Sequence, residues 1–366
     1  MRRGLMAWSR DEIGAAVFEQ RVAALVAGMG ARAWDCVLAY TDLTRPAAVS
    51  ALTHFIPYWS NGVLVVSPST GATLVTTLSR RVADWMHSTA RLDGLVNTLD
   101  LGTGVAECLP KANGAVMRVG VVELASLPCS VAAAIRKTHP GAQFEDASNL
   151  LATALAANEA PGGAVEERCK AIAATALAAG SAAAASHEAN AVVAAAEGAA
   201  RNAGAEEILL ALATDAAADP RLRRIEGGAA LGQVFALQTT VAYKGCWVRL
   251  GRTATTGPPL PWIAETDAWF EILAGEITAG ALAGNALDAA LPRLAGASLD
   301  FWRVEAVRAG LALAAVAGSA PFPDRNPPPA SLFTLSLRLR RPQGWWFGAT
   351  PLRVAPTACP GSGART

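Results

Sequence analysis

The residue types that build most active sites are few and scattered in this 366-residue chain. Its four histidines, at positions 54, 87, 139 and 187, are far apart in sequence, and its six cysteines form no C-x-x-C pair. Zinc sites and disulfide frameworks need regularly spaced cysteines or histidines, so the sequence indicates neither. The cysteine pattern is typical of reduced, buried thiols in a cytosolic protein.

A hairpin that carries polar side chains is predicted between residues 234 and 253. Two runs of strand-forming residues, 234–237 and 246–250, flank Tyr243-Lys244-Gly245, which favours a turn. Arg249 in the second run keeps its proton at any working pH and offers only hydrogen-bond donors. Cys246 is near it in sequence, but side chains three residues apart on a strand point to opposite faces. We therefore interpret Cys246 as a packed thiol and not as an activated nucleophile.

Several residues of this stretch fit the scaffold of a known pattern, and they are Gly232, Phe235, Tyr243, Gly245, Trp247, Arg252 and Thr253. Together they resemble the strand pair G-D-x-V-x-x-D-x-G-x-x-Y-x-G-Y-x-x-D-x-x-R-T of the creatinase, aminopeptidase-P and methionine-aminopeptidase family, whose fold is called pita-bread. Leu52-Thr-His-Phe55 and Val119-Gly-Val-Val-Glu123 are looser matches that extend the resemblance over nearly the whole chain. The resemblance implies an α/β (α+β) protein with a creatinase-like amino-terminal domain and a pita-bread carboxy-terminal domain.

The resemblance also implies that the metal ligands of the family are lost. Relatives bind a pair of divalent cations through two hairpin aspartates, and the matching positions here are Gln238 and Arg249. Divalent cations prefer anionic oxygen and neutral imidazole ligands, so Arg249 would repel the ion that its counterpart binds. The other three expected ligands fall on Val307, on Ser336 and in the segment 348–350, none of which supplies a carboxylate or an imidazole. We therefore expect no bound metal and no other cofactor.

Five residues are expected to line the former active-site cleft as ligand contacts, namely Arg221, Gln238, Tyr243, Arg249 and Ser336. Arg221 stands where the family places a substrate-contacting histidine. Two guanidinium groups that converge on one cleft would clamp a carboxylate or a phosphate. The alternative is structural: Arg249 fills the vacated metal space and pairs with an internal acid such as Glu305. No catalytic residue is predicted, since Ser336 has no evident histidine or lysine partner.

Composition and pattern predict where the two domains lie. The chain is 52% hydrophobic and 17% charged, which excludes disorder by composition, and its length allows two full-sized cores. We predict an amino-terminal domain over residues 1–157, a pita-bread domain over 165–356 and a loose tail over 357–366. Alanine-rich helices over 165–186 and 189–203 begin the second domain, and strands over 331–338 and 352–354 end it.

Charge and hydropathy argue against two classes of partner. The net charge is +1, and the short run Arg338-Leu-Arg-Arg341 is interpreted as a solvated rim, so we expect no nucleic acid. The most apolar stretch, residues 171–186, is shorter than the roughly 20 residues of a membrane-spanning helix, so we expect no membrane. A cytoplasmic protein is expected, and the resemblance implies a homodimer.

Two hypotheses for function follow. The first is a metal-free homologue that binds a small anionic or peptide-like molecule in the old cleft, as a binding or accessory protein. The second is a divergent metal-independent enzyme that acts on a C–N bond, or on a biosynthetic intermediate bearing a carboxylate or a phosphate. An active metallopeptidase contradicts the residues at the ligand positions. Whether the chain is an enzyme stays open at this point.

Overall fold

The computed structural model describes residues 8–57, 59–112, 116–157, 163–281, 283–305 and 332–353 of the chain. These residues fall into two compact units, the first reaching residue 157 and the second beginning at residue 163. Each unit contains a six-stranded β-sheet. The expectations for Val307 and for the tail lie outside the described residues.

The first unit alternates strands and helices. In chain order its elements are α1 (Ala15–Gly30), β1 (Cys36–Thr41), α2 (Ala47–Thr53), β2 (Gly62–Ser67), β3 (Gly71–Thr76), α3 (Ala83–Thr89), β4 (Gly94–Asn97), α4 (Leu101–Cys108), β5 (Arg118–Val122), α5 (Cys129–Thr138), β6 (Gln143–Asp146) and α6 (Ser148–Ala157). The strand order is β4-β3-β2-β1-β5-β6. Strands β1, β5 and β6 are parallel neighbours, as are β3 and β4, whereas β2 runs antiparallel to β1 and β3.

Both faces of this first sheet are buried. Leu38 of β1 packs with residues of α4 and α5 on one side, and Val37 packs with residues of α1, α2 and α6 on the other. A strand buried on both faces needs apolar residues at every position instead of alternate ones. This explains the continuous apolar runs from which strands were predicted here, and it confirms the α/β class.

The second unit consists of helices and one antiparallel sheet. Its elements are α7 (Ala164–Ala183), α8 (Ala189–Asn202), β7 (Glu207–Ala213), β8 (Val234–Tyr243), β9 (Cys246–Thr255), α9 (Pro261–Thr278), α10 (Ala283–Ala290), β10 (Ser298–Glu305), β11 (Leu332–Arg341) and β12 (Gly344–Arg353). The strand order is β10-β11-β12-β9-β8-β7. Every neighbouring pair in this sheet is antiparallel.

The predicted hairpin is the pair β8–β9. Its register joins Tyr243 to Cys246 and Gln238 to Gly251. The two turn residues, Lys244 and Gly245, have φ angles of 46° and 79°. Positive φ at both positions is the signature of a type I′ turn, whose twist matches that of the flanking strands.

The two faces of the second sheet differ in character. Helices α7 to α10 pack on one of them, the helix face, through residues such as Val241, Phe235, Leu335 and Leu337. Because side chains alternate along a strand, the residues between these point the other way. We call that side the polar face, and its central residues are Gln238, Thr240, Arg249, Gly251, Arg303, Glu305, Thr334, Ser336 and Ala349.

Helix α7 is the longest helix of the described residues and is rich in alanine. With the turn that follows it, Ala164–Ser186, it is long and apolar enough to cross a membrane by length and composition alone. It packs Cys169, Ile172 and Ala176 against Val241 and Val248 of the sheet. A buried stripe that contacts a sheet is what a core helix of a globular unit requires.

The predicted elements near the carboxyl end were wrong in extent. Strand β12 covers Gly344–Arg353 and not only residues 352–354. Glycine, proline and adjacent tryptophans interrupt its polar–apolar alternation, so only its last residues had a strand pattern. Strand β10, Ser298–Glu305, was not predicted at all.

Candidate functional site

A row of residues crosses the polar face from strand to strand. The cross-strand pairs are Arg303 with Ser336, Ser336 with Ala349, Ala349 with Gly251, and Gly251 with Gln238. Residues directly opposite each other in an antiparallel sheet project from the same face. We call these five residues the central row. Its register places Gln238 and Ser336 on one face of the sheet.

Arg249 lies on the same face, two residues before Gly251 along β9. Its Nε donates to Thr240 Oγ1 at 3.1 Å, and its Nη1 donates to Glu305 Oε2 at 2.8 Å. The Arg249 side chain is 11% exposed and that of Glu305 only 2%. A buried charge needs a hydrogen-bonded partner of opposite sign. The structural pair between Arg249 and Glu305, one of the two alternatives left open by the sequence, is therefore present.

Glu305 neutralises a second guanidinium group as well. Its other oxygen, Oε1, lies 2.6 Å from Nη1 of Arg303, whose side chain is 39% exposed. One buried carboxylate thus lies between Arg249 and Arg303. The three groups together carry one surplus positive charge on the polar face.

The side-chain hydroxyl of Ser336 is a buried polar group of the site. It is 4% exposed, and its hydroxyl has no hydrogen-bond partner among the described residues. Its neighbours across the strands are Arg303 and Ala349. Leaving a buried hydroxyl without a partner costs about 1 to 3 kcal/mol. The Ser336 hydroxyl is therefore available to donate a hydrogen bond to a bound molecule.

Of the five expected contacts, Arg221 is on a loop and Tyr243 is on the helix face. Arg221 is 67% exposed, and its Nε and Nη2 donate to the two carboxylate oxygens of Asp219 at 2.8 and 2.9 Å. These hydrogen bonds, with that from the Arg221 backbone, hold the pKa of Asp219 well below its usual value. Tyr243 is on the helix face at the end of the hairpin, packed with the cluster that contains Cys169. Arg221 and Arg249 are thus each paired with a different carboxylate, Asp219 and Glu305.

Cys246 lies on the helix face as well, away from Arg249. The Cys169 thiol donates to the carbonyl oxygens of Cys246 and Val241 at 3.4 and 3.5 Å. The hydrogen bond to the Cys246 thiol and burial raise the pKa of Cys169 far above its usual value. A protonated, buried thiol is a poor nucleophile. Cys36 is buried as well, but Cys108 and Cys246 are half-buried and Cys129 is exposed, so the expectation of buried thiols holds for only part of the described cysteines.

Comparison with known proteins gives a consistent answer on the fold. No protein-family model and no curated protein matches the sequence. Among solved structures, the Xaa-Pro dipeptidase from Bacillus anthracis is similar with a TM-score of 0.66 at 15% identity, over 92% of this chain and 95% of that one. The X-Pro aminopeptidase from Thermotoga maritima MSB8 has the same TM-score and coverage at 13% identity.

The chain has the pita-bread fold. A third similar structure, the N-terminal domain of FACT complex subunit SPT16 from Cicer arietinum, has a TM-score of 0.57 at 11% identity, over 93% of this chain and 94% of that one. The fold predicted from the hairpin is confirmed. At these identities the similarity concerns the fold and not the activity.

The residues at the metal-ligand positions of the pita-bread fold do not fit a divalent cation. Gln238 and Ser336 offer an amide and a hydroxyl, Arg249 offers only donors, and Ala349, opposite Ser336, offers no side-chain donor atom. The nearby carboxylate, Glu305, is engaged by two guanidinium groups. Within the described ranges, no group of three or more His, Cys, Asp or Glu side chains could hold a metal ion. This arrangement suits hydrogen bonding and charge pairing, and we derive no metal-dependent step from it.

Arg303 is the residue that the sequence analysis missed. It lies two positions before Glu305 on one strand, and residues at that spacing share a face. This two-residue spacing could have identified Arg303 from the sequence, because Glu305 had already been proposed as a partner of Arg249. It was overlooked because strand β10 itself was not predicted.

Proposed function

We propose that this protein is a metal-free member of the pita-bread fold that binds a small anionic or peptide-like ligand on its polar face, as a binding or accessory protein and not as a metallopeptidase. The observation that carries the proposal is the buried, unpartnered hydroxyl of Ser336 beside Arg303. A ligand carboxylate or peptide carbonyl would accept from the hydroxyl and approach the surplus positive charge at once.

The similar structures support both parts of the proposal. A dipeptidase and an aminopeptidase with this fold act on peptides, by their names. The domain of the FACT complex subunit is named for an assembly and not for a reaction. The fold is thus compatible with peptide-like ligands and with a role in binding. Arg249 cannot replace the metal as an electrophile without leaving Glu305, so the pair is better suited to shaping the face than to chemistry.

The alternative of a metal-independent enzyme has no specific observation in its favour. A serine nucleophile needs a base within hydrogen-bond reach, and no described histidine or lysine contacts Ser336. Turnover of any ligand found on the polar face, followed by mass spectrometry, would establish it. The predictions of a homodimer and of a cytoplasmic location stay proposals too, and light scattering of the purified protein measures the first.

A thermal-shift screen with acetylated amino acids, dipeptides and inorganic phosphate tests the proposal. Ligands should raise the melting temperature of the wild type. Ser336→Ala removes a hydroxyl that has no partner, so it should leave the unliganded protein as stable or about 1 kcal/mol more stable. The same variant should lose most of the ligand-induced shift.

The matched control is Ser186→Ala, which changes an exposed serine of the same unit. It should keep the full ligand response. If Ser336→Ala and the wild type respond equally to every ligand, the polar face is not the binding site. If no compound of these classes shifts the melting temperature of the wild type, the ligand class is wrong.

A further inference from the structure

The polar face continues beyond the central row along strands β10, β11 and β12. Arg338 and Arg340 follow Ser336 at alternate positions of β11, so their side chains leave the sheet on the polar face. Arg341 points to the helix face instead, where it is buried and donates to Thr266 and Glu265. The arginines of the run 338–341, which was interpreted from the sequence as a solvated rim, are therefore divided between the two faces of the sheet.

Aromatic rings separate the guanidinium groups on this part of the face. Phe301 pairs with Arg338 across the strands. The guanidinium carbons of Arg303 and Arg338 lie 5.2 and 5.8 Å from the centre of the Phe301 ring. That of Arg340 lies 5.7 Å from the centre of the Trp345 ring. Cation–π contacts at these distances restrain the arginine side chains against the sheet. We call Phe301, Arg303, Arg338, Arg340 and Trp345 the basic strip.

The strip carries more positive than negative charge. Arg338 is paired with Asp300 at 2.6 Å, and Arg303 shares Glu305 with Arg249. Arg340 is exposed, and no described carboxylate lies within ion-pair distance of it. Within the strip, three arginines thus face two carboxylates, Asp300 and Glu305, in a chain whose net charge is only +1.

The geometry of the strip favours one class of partner. Arg338 and Arg340 are two residues apart on a strand, which separates them by about 6.6 Å. Acidic side chains at alternate positions of an extended peptide repeat at the same distance. A nucleic acid would need a wider basic track and open rings for base stacking, whereas Phe301 and Trp345 already contact guanidinium groups.

We propose that the basic strip binds an extended peptide segment with acidic residues at alternate positions. The carboxylates pair with Arg338 and Arg340, and the residues between them point away from the strip. The proposal rests on the proposed function, because the strip is continuous with the central row. It names the partner class of that face, and its two peptide-binding arginines, Arg338 and Arg340, are not part of the small-ligand site.

Fluorescence anisotropy with a dye-labelled peptide of alternating glutamate and alanine tests this proposal. The wild type should bind the peptide saturably, and added salt should weaken the complex. The double variant Arg338→Gln/Arg340→Gln should weaken binding about tenfold or more, since two charge-assisted contacts are lost. Peptides of alternating lysine and alanine, or of glutamine and alanine, should not bind.

The matched control is Arg252→Gln, an arginine of the same sheet that is 59% exposed on the helix face. It should bind like the wild type. Arg340→Glu is the second variant, because an exposed side chain without an acidic partner can be reversed without disturbing the fold. It should also abolish binding of the acidic peptide.

Three results would overturn the proposal: no saturable binding to the wild type, equal affinity in Arg340→Glu and wild type, or tighter binding of single-stranded DNA of the same charge. Ser336→Ala separates this proposal from the proposed function. If peptide binding persists while small ligands fail to shift any variant, only the small-ligand site is wrong. If small ligands depend on Ser336 but Arg338→Gln/Arg340→Gln binds the peptide normally, only the basic strip is wrong.

Discussion

Glu305 determines what Arg249 can do at the former metal position. An arginine that is 11% exposed cannot be solvated by water as a surface arginine is, so it depends on the carboxylate 2.8 Å away. The same carboxylate also holds Arg303. The guanidinium group at the former metal position therefore has an internal counter-ion.

The dependence of Arg249 on Glu305 predicts unequal effects of single and double substitutions. Glu305→Gln leaves a buried guanidinium without its counter-ion and should cost about 3 to 5 kcal/mol of unfolding free energy. Arg249→Met combined with Glu305→Leu removes both buried charges and should recover most of that loss, because Arg303 is exposed enough to be solvated. Urea denaturation of the variants measures both effects. Equal destabilisation by the single and the double change would contradict the pairing.

Residue spacing predicted correctly that some of the candidate residues share one face of the sheet, and it was wrong for Tyr243. Gln238 and Arg249 were placed on one face by the hairpin pattern, and Ser336 joined them through a second motif. Tyr243 could have been excluded, because it is five residues from Gln238 on the same strand and an odd spacing changes the face. Arg221 lies in a loop whose course no periodic pattern predicts, so its part in the site stays a prediction.

At the scale of elements, one ion-pair group joins the first helix of the second unit to its last strand. Glu166 of α7 accepts hydrogen bonds from Arg353 of β12, with Nε at 2.8 Å, and pairs with Lys170 at 2.7 Å. Burial alone would raise the pKa of Glu166, but these cations outweigh it and hold the pKa below the ordinary value of 4.5. Sequence indicated both elements but not their pairing, because Glu166 and Arg353 are far apart in the chain.

This pKa shift predicts a contribution to stability that depends on pH. A carboxyl whose pKa is lower in the folded protein stabilises it above the unfolded pKa, and the stabilisation is lost as the pH falls through the folded pKa. The unfolding free energy of the wild type should therefore fall more steeply below about pH 4.5 than that of Glu166→Gln. Chemical denaturation at a series of acidic pH values measures the two slopes.

Glu167 offers the control for this experiment. It neighbours Glu166 on α7 and also pairs with Lys170, but its side chain is 60% exposed. An exposed ion pair contributes little to stability, so Glu167→Gln should keep the slope of the wild type. Parallel curves for the wild type and Glu166→Gln would show that the buried group does not carry the effect.

At the scale of the whole molecule, the fold was easier to predict than the function. Periodic patterns and the hairpin sequence identified two α/β units because burial on a sheet leaves a regular trace in sequence. Most of strand β12 was not predicted because Gly344, Gly348 and Pro351 interrupt the alternating pattern. The binding properties depend on which charges meet across distant strands, and no local pattern records this.

The whole-molecule prediction concerns metal content. Protein incubated with Mn²⁺, Co²⁺ or Zn²⁺ and then desalted should retain no stoichiometric ion, because the polar face presents Arg249 and Arg303 around its carboxylate. Inductively coupled plasma mass spectrometry measures the ions per chain. Two tightly held ions per chain would contradict the ligand positions assigned here.

The make-up of the polar face has a consequence for the conditions under which it works. None of its described residues is a histidine, the side chain whose charge ordinarily changes between about pH 5 and 8. Guanidinium, hydroxyl and amide groups keep their protonation throughout that interval. Occupancy should follow the concentration of the partner and of salt, and stay the same when a compartment becomes mildly acidic or alkaline.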